Sequence, residues 1–181
     1  MEIERTPLEG LLVLRPKVFR DARGWFLESF NARIFTEATG LEPRFVQDNE
    51  SRSQNGVLRG LHYQVAPHAQ GKLVRVITGA VLDVCVDIRP ASPTFGHHYK
   101  LALTGEEKNM LWIPEGFAHG FSTLEDGTIF SYKCTDFYHP PSERTVLWND
   151  PGLGIDWGIT DPVLSAKDLA GVPLARMGLN A

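Results

Sequence analysis

The sequence predicts an all-β fold, a barrel or sandwich of short antiparallel strands with a few short helices. Two observations lead there. Glycine and proline, 17 and 12 of the 181 residues, punctuate the chain at short intervals. Between them lie short runs rich in Val, Ile, Leu, Phe and Tyr, the composition and spacing of strands rather than of helices.

Taken in chain order, strands are expected over 11–19, 25–30, 44–52, 56–65, 72–78, 80–88, 98–103, 110–113, 119–124, 128–136 and 145–148. One helix is expected at NARIFTEATG (31–40), where Asn31 caps the start and Gly40 ends it. SAKDLA (165–170) reads as a helical turn capped by Ser165. KLVRVITGAVLDVCVDIRP (72–90) reads as a hairpin turning at Thr78-Gly79. Strand side chains alternate between faces, and positions 74, 76, 80, 82, 84, 86 and 88 are all apolar, so that row is expected to face the core. Lys72 opens the same row. From pattern alone it either meets an anionic group at the mouth of a cavity or snorkels to solvent. TIFSYKCTDFY (128–138) puts Phe130, Tyr132 and Cys134 on one face. Tyr132 there either serves chemistry or bonds its hydroxyl to backbone.

Composition narrows the function. The chain is 43% hydrophobic and 22% charged, as expected of a globular protein, and its length suits one domain over 1–181 with the turn-rich segment 149–181 wrapping the main body. A net charge of −4 offers no electrostatic footprint for nucleic acid. No apolar run approaches the roughly 20 residues of a membrane helix. The opening MEIERTPLEG lacks the apolar stretch of a secretory leader, so a cytoplasmic protein is expected. Cys85 and Cys134 sit in apolar strand runs and read as reduced core thiols, not as a disulfide framework or zinc spacing.

IPEGFAHGF (113–121) contains Pro114-x-Gly116-x-x-His119. This resembles the second sequence motif of cupins, double-sheet β-barrels (jelly rolls) that enclose a ligand cavity. Proline and glycine turn the chain, and the next strand delivers a histidine inward. Many cupins bind a metal through a His-x-His pair, a later Glu and the second-motif histidine. Here His97 and His98 are adjacent, which sends their rings to opposite faces of a strand. Thr123 stands where asparagine often follows, and the strand before the 72–90 segment offers only His62. The expectation is a barrel without metal or cofactor, with His119 in its wall and His68, His97, His98 and His139 exposed or in loops.

In such a cavity His62 can take or give a proton near neutral pH. Lys72 can stabilise an oxyanion, and Tyr132, with a pKa ordinarily near 10, holds a proton at neutral pH. Base, cation and acid suit proton abstraction beside a carbonyl followed by reprotonation. Opposite placement of acid and base gives epimerisation; same-side placement gives isomerisation or exchange.

Seven blocks, in order, carry a more specific resemblance: FRDARGWFLESFN (19–31), FVQDNESRS (45–53), GVLRGLHYQ (56–64), QGKLVRV (70–76), IPEGFAHGF (113–121), YKCTDFYHPPSE (132–143) and LSAKD (164–168). From about residue 3 to about 170 the chain resembles the dTDP-4-dehydrorhamnose 3,5-epimerase family of cupin-fold enzymes. The resemblance implies inversion at C3 and C5 of dTDP-4-dehydro-6-deoxy-D-glucose in dTDP-L-rhamnose synthesis, with no cofactor, by a homodimer. It implies His62 as base, Tyr132 as acid, Asp168 as the carboxylate that sets the His62 tautomer, and Lys72 at the C4 oxygen. Arg23, Arg59 and Lys167 would hold the diphosphate or nearby groups. Glu28, Gln47, Asp48, Asn49, His119 and Glu143 would line the nucleotide-sugar site, and Tyr138 would stack on thymine.

Several of these roles have competing readings in the residues. Asp83 is an alternative carboxylate for His62, and Arg23 also reads as a turn residue. Phe19 and Phe26 either join the core or flank the base, Phe26 being assigned to the core. Strict alternation sends Arg59 and His62 to opposite faces, so a kink is expected at Gly60. The N-terminal run 3–15 is a candidate to add a strand to a neighbour's sheet. The runner-up functions are an epimerase of C3 or C5 alone and a cupin that binds a nucleotide sugar without turnover.

Overall fold

The structure is a computed structural model and describes residues 1–179. Its first sheet runs β1 (Glu2–Arg5), β2 (Leu12–Arg15), β10 (Met110–Ile113), β7 (Lys72–Thr78), β12 (Thr128–Cys134) and β5 (Gln47–Ser53). The second runs β13 (Glu143–Thr145), β6 (Leu58–Gln64), β11 (Phe117–Thr123), β8 (Ala80–Asp87) and β9 (His98–Thr104). A separate hairpin joins β3 (Val18–Asp21) to β4 (Gly24–Leu27). The two large sheets face each other as the double-sheet barrel expected of a cupin-type fold.

The central strands of both sheets are buried on both faces. Between them lie Val13, Val74, Val76, Leu111 and Phe130 from the first sheet and Val81, Cys85, Phe117 and Phe121 from the second. Outside the first sheet, Leu12, Leu14, Leu73, Met110 and Trp112 pack against Phe35 of helix α1 (Ala32–Thr39). Asn31 accepts the Ile34 amide at 3.2 Å, and the Gly40 amide closes on Thr36, as the sequence predicts. Outside the second sheet, Leu58, Leu61, Val84 and Val86 are covered by Leu153, Trp157 and Leu174. That C-terminal stretch is held by parallel bridges Val57–Val163 and Val146–Val172 and by the Ser122 hydroxyl donating to the Trp157 carbonyl at 2.6 Å. Short helix α2 (Ala166–Leu169) follows, capped by Ser165. Among the described residues no helix is long and apolar enough to cross a membrane.

The double burial explains the main correction to the sequence reading. Residues 72–90 are not a hairpin: β7 pairs with β10 and β12, and β8 with β9 and β11. The chain passes from one sheet to the other at Thr78-Gly79, and the phase of the inward row changes there. Positions 74 and 76 face the barrel interior on β7, but on β8 it is 81 and 85 that do so, while 84 and 86 face the C-terminal cover. Because β8 is buried on both sides, its apolar row need not be the one that faces the barrel: here that row meets the C-terminal cover, and the row carrying Asp83 and Asp87 faces inward.

The expected strand 11–19 breaks at Pro16, which has no amide to donate, and its second half becomes β3 in the separate hairpin. The run 3–15 doubles back as the β1–β2 hairpin within its own sheet. Of the strand expected at 145–148, only Thr145 belongs to a named strand, β13 (Glu143–Thr145), and Val146 continues as a single bridge to Val172. Phe26 is not core: on the projecting hairpin Phe19, Trp25 and Phe26 are 52%, 50% and 65% exposed.

Candidate active site

A cavity of about 510 Å³ opens between the sheets, within the usual range for small-molecule sites. One polar wall is β6, and the reason both Arg59 and His62 face the cavity is a β-bulge. His119 pairs with His62 and Phe121 with Arg59, so three steps on β6 span two on β11. Gly60 lies in the bulge at φ +124°. A Cβ there would stand 2.5 Å from the Gly120 Cα, so the two glycines also let the strands approach. The expected kink is present.

His62 Nε2 donates to Asp168 Oδ1 at 2.7 Å. The same oxygen takes the Gly60 amide at 3.1 Å, and the other takes the Ser165 hydroxyl at 2.6 Å. The bulge that admits Arg59 thus also supplies an amide to hold the carboxylate. Burial would raise the Asp168 pKa, but these bonds outweigh it and hold the group at about 2. With Asp168 ionised, the His62 proton sits on Nε2 and Nδ1 is left without a protein partner among the described residues. Burial pulls the His62 pKa below its ordinary 6.5, opposed in part by Asp168 and reinforced by Lys167 and Lys72. The imidazole is therefore neutral at neutral pH, as a base must be. Asp83, the alternative partner, is committed elsewhere: its Oδ2 lies 2.8 Å from His119 Nε2.

The facing wall comes from the other sheet. Tyr132 on β12 and Lys72 on β7 line the cavity opposite His62, the Lys72 ammonium 5.9 Å from the Tyr132 ring centre. Burial pushes the Tyr132 hydroxyl up to about 12 and pulls Lys72 below its usual value. Neither side chain takes its bland reading: Lys72 does not snorkel away, and the Tyr132 hydroxyl has no backbone partner among the described residues.

The rim is polar. Lys167 donates to Glu143 Oε1 at 2.8 Å and the Tyr138 hydroxyl to Oε2 at 2.9 Å. Tyr138 is 51% exposed, leaving a ring face free. Gln47 Nε2 donates to Asn49 at 2.9 Å, and Gln47 Oε1 takes the Tyr138 amide at 2.8 Å. Arg59 and His119 also line the cavity.

Three expected site residues lie outside this cavity. Asp48 alternates away from Gln47 and Asn49 and is paired with Lys133 at 2.8 Å. Arg23 is paired with Asp21 at the exposed tip of the β3–β4 hairpin. Glu28, exposed beyond β4, accepts from Asn31 at 2.9 Å. His68 and His139 lie in loops as expected, where their rings stack at 3.9 Å and His68 Nδ1 meets Asp136 at 3.1 Å.

Two contributions were missed in the sequence. Ser165 is not only the helix cap the sequence predicts: its hydroxyl also grips Asp168. Asp83, Cys85 and His119 have donor atoms within 4.8 Å of one another, the one such set able to hold a metal among the described residues. A histidine pattern in the sequence carries no trace of this set, because its members come from two strands and three residue types.

A family profile described as dTDP-4-dehydrorhamnose 3,5-epimerase matches residues 5–176. The chain is 53% identical over 171 residues to the dTDP-4-dehydrorhamnose 3,5-epimerase of Shigella flexneri, covering 94% of each. Among solved structures it resembles a dTDP-6-deoxy-D-glucose-3,5-epimerase from Legionella pneumophila in complex with dTDP-4-keto-L-rhamnose, with TM-score 0.94, 51% identity and coverage of 97% and 94%. It also resembles a 3′-monoepimerase from Streptomyces bikiniensis in complex with dTDP-quinovose, with TM-score 0.92, 34% identity and coverage of 99% and 91%.

Proposed function

The chain belongs to the dTDP-4-dehydrorhamnose 3,5-epimerase family, and from that premise we propose how its cavity inverts two carbons of one sugar. The substrate is dTDP-4-dehydro-6-deoxy-D-glucose and the product dTDP-4-dehydro-L-rhamnose, an intermediate of dTDP-L-rhamnose biosynthesis. The observation that carries the reading is that His62 and Tyr132 belong to opposite sheets of one cavity. A sugar ring lying between them meets base on one face and acid on the other, which is what inversion requires.

His62 Nδ1 takes the proton from the carbon beside the C4 ketone. The electron pair moves onto the C4 oxygen, where Lys72 opposes the developing charge. Tyr132 then delivers its proton to the other face of the same carbon. Both C3 and C5 flank the ketone, so one oxyanion site serves both inversions. Solvent exchange returns His62 and Tyr132 to their starting protonation. The Asp168 carboxylate keeps the His62 ring in the tautomer with Nδ1 free and stabilises the imidazolium as it forms. Arg59 and Lys167 suit the diphosphate by charge, Gln47 and Asn49 offer amide contacts, and the open face of Tyr138 suits thymine.

The proposal extends to a cytoplasmic homodimer. The exposed Phe19, Trp25 and Phe26 on the projecting hairpin are the apolar surface a second copy would cover. Arg23 and Glu28 sit beside that surface and, in such a dimer, would serve the neighbouring cavity.

The test is solvent deuterium uptake into dTDP-4-dehydro-6-deoxy-D-glucose, read by NMR. Exchange at both C3 and C5, with formation of dTDP-4-dehydro-L-rhamnose, is expected. Exchange at C3 alone would move the chain to the activity of its Streptomyces bikiniensis neighbour. Binding without exchange would sink the roles of His62 and Tyr132.

A further inference from the structure

The barrel interior holds a second polar cluster beside the His62–Asp168 pair. Asp83 and Cys85 lie two residues apart on β8, so both point into the barrel. His119 on β11 is the cross-strand partner of Cys85. Asp83 Oδ2 stands 2.8 Å from His119 Nε2, and Cys85 Sγ stands 3.8 Å from Asp83 Oδ1. Asp83 and Cys85 are 0% exposed and His119 is 7% exposed, with Phe117, Phe121 and Phe130 packed in the same core cluster. A carboxylate in such surroundings is costly unless its charge is met, and among the described residues no lysine or arginine bonds to it.

Carboxylate, thiol and imidazole together are a ligand set suited to zinc. In a tetrahedral site with bonds of about 2.0–2.3 Å, neighbouring donors stand roughly 3.5 Å apart. Here one donor atom from each residue lies within 4.8 Å of the others, so modest side-chain adjustment on fixed strands suffices. His119 lines the catalytic cavity, which gives an ion a way in and leaves the fourth position on the cavity side.

We propose that Asp83, Cys85 and His119 form a binding site for a thiophilic divalent cation, zinc foremost, and that occupancy inhibits the enzyme. As the Sγ–metal bond forms, the Cys85 thiol gives its proton to solvent. His119 turns its Nε2 lone pair to the metal and carries its ring proton on Nδ1. The ion withdraws His119 from any sugar in the cavity. The binding site stands on the cluster alone; the inhibition rests on the function proposed above.

The experiment titrates the purified full chain with Co²⁺, whose spectrum reports its ligands, and in parallel measures epimerase turnover with Zn²⁺. A near-ultraviolet thiolate-to-cobalt band with the visible intensity of a tetrahedral ion is expected, saturating at one ion per chain and erased by EDTA. Cys85→Ser should lose the band and need at least tenfold more Zn²⁺ for inhibition, with turnover in metal-free buffer unchanged. Cys134→Ser should keep both. Because the chain has only two cysteines, any band in Cys134→Ser belongs to Cys85 even if Cys85→Ser fails to fold. No thiolate band, or a band lost only in Cys134→Ser, would overturn the site. A band without loss of turnover would overturn the inhibition. Absence of turnover in metal-free enzyme would count against the proposed function and leave the ion site to the cobalt spectrum.

Discussion

At the scale of single residues, the His62–Asp168 pair makes the sharpest claims. His62→Asn and Tyr132→Phe each remove one proton-transfer partner and should lower turnover by about 10²–10⁴-fold. Binding of dTDP should hardly change, as calorimetry would show, because the rim contacts remain. The acid limb of kcat/KM should have its midpoint below pH 6.5, the direction in which burial moves His62. The alkaline limb should not follow an ordinary tyrosine, since Tyr132 is held at about 12. Asp168→Asn removes the partner that favours the imidazolium. It should therefore reduce turnover at every pH and move the acid midpoint lower still. A midpoint that rose, or stayed fixed, would refute the pairing of these two residues in catalysis.

At the scale of elements, two short devices assemble the site. One is the bulge in β6. Gly60→Ala would require a left-handed φ and would press a methyl against the Gly120 backbone at 2.5 Å. Strain and overpacking of this kind cost about 2–4 kcal/mol together. Urea unfolding should show that loss, and turnover should fall further than stability explains, because Arg59, His62 and the amide on Asp168 all move. The other is α2, a single turn that delivers Lys167 to the rim and Asp168 to the base. Ser165→Ala removes its cap, worth about 1 kcal/mol, and also a 2.6 Å bond to Asp168. The expected kinetic result is a fall in kcat with little change in KM, since Lys167 keeps its bond to Glu143. Unchanged kcat would make Ser165 a cap and nothing more.

At the scale of the whole molecule, stability should depend on acid in a particular window. Asp168 and Asp87 are both held at about 2, below the ordinary 3.8. For Asp87, burial again works against ionisation and is outweighed by bonds from Arg89, Ser92 and Thr94. A carboxylate with a lowered folded-state pKa stabilises above its unfolded value and loses that contribution as pH falls through the folded one. His62 acts in the same direction below pH 6.5, because the folded state resists its protonation. The urea midpoint should thus decline on acidification and drop most steeply between about pH 4 and pH 2. Asp87→Asn should flatten that decline while leaving the catalytic pH profile unchanged, since Asp87 is bonded to Arg89, Ser92 and Thr94 and does not line the cavity.

Sequence alone determined a good deal. Gly and Pro spacing and β-rich runs established the strand class. The caps at Asn31, Gly40 and Ser165 were legible because capping is local chemistry. Ordered motifs singled out His62, Tyr132, Lys72 and Asp168, and the conflict between Arg59 and His62 exposed the bulge, since only glycine could resolve it. What the sequence could not decide was anything set by a second layer. Residues 72–90 read as a hairpin because one row of β8 is wholly apolar, and only the C-terminal cover over Val84 and Val86 explains why that row faces outward while the row holding Asp83 and Cys85 faces the barrel. Phe26 looked like core because an exposed aromatic has no local signature. Asp83 stays open in the sequence as an alternative to Asp168 for His62, because a separation of 106 positions gives no distance in space. Which carboxylate meets which histidine is settled by which strands lie side by side. That pairing is a property of long-range packing, where each strand's partner is chosen by burial across the whole barrel rather than by its own residues.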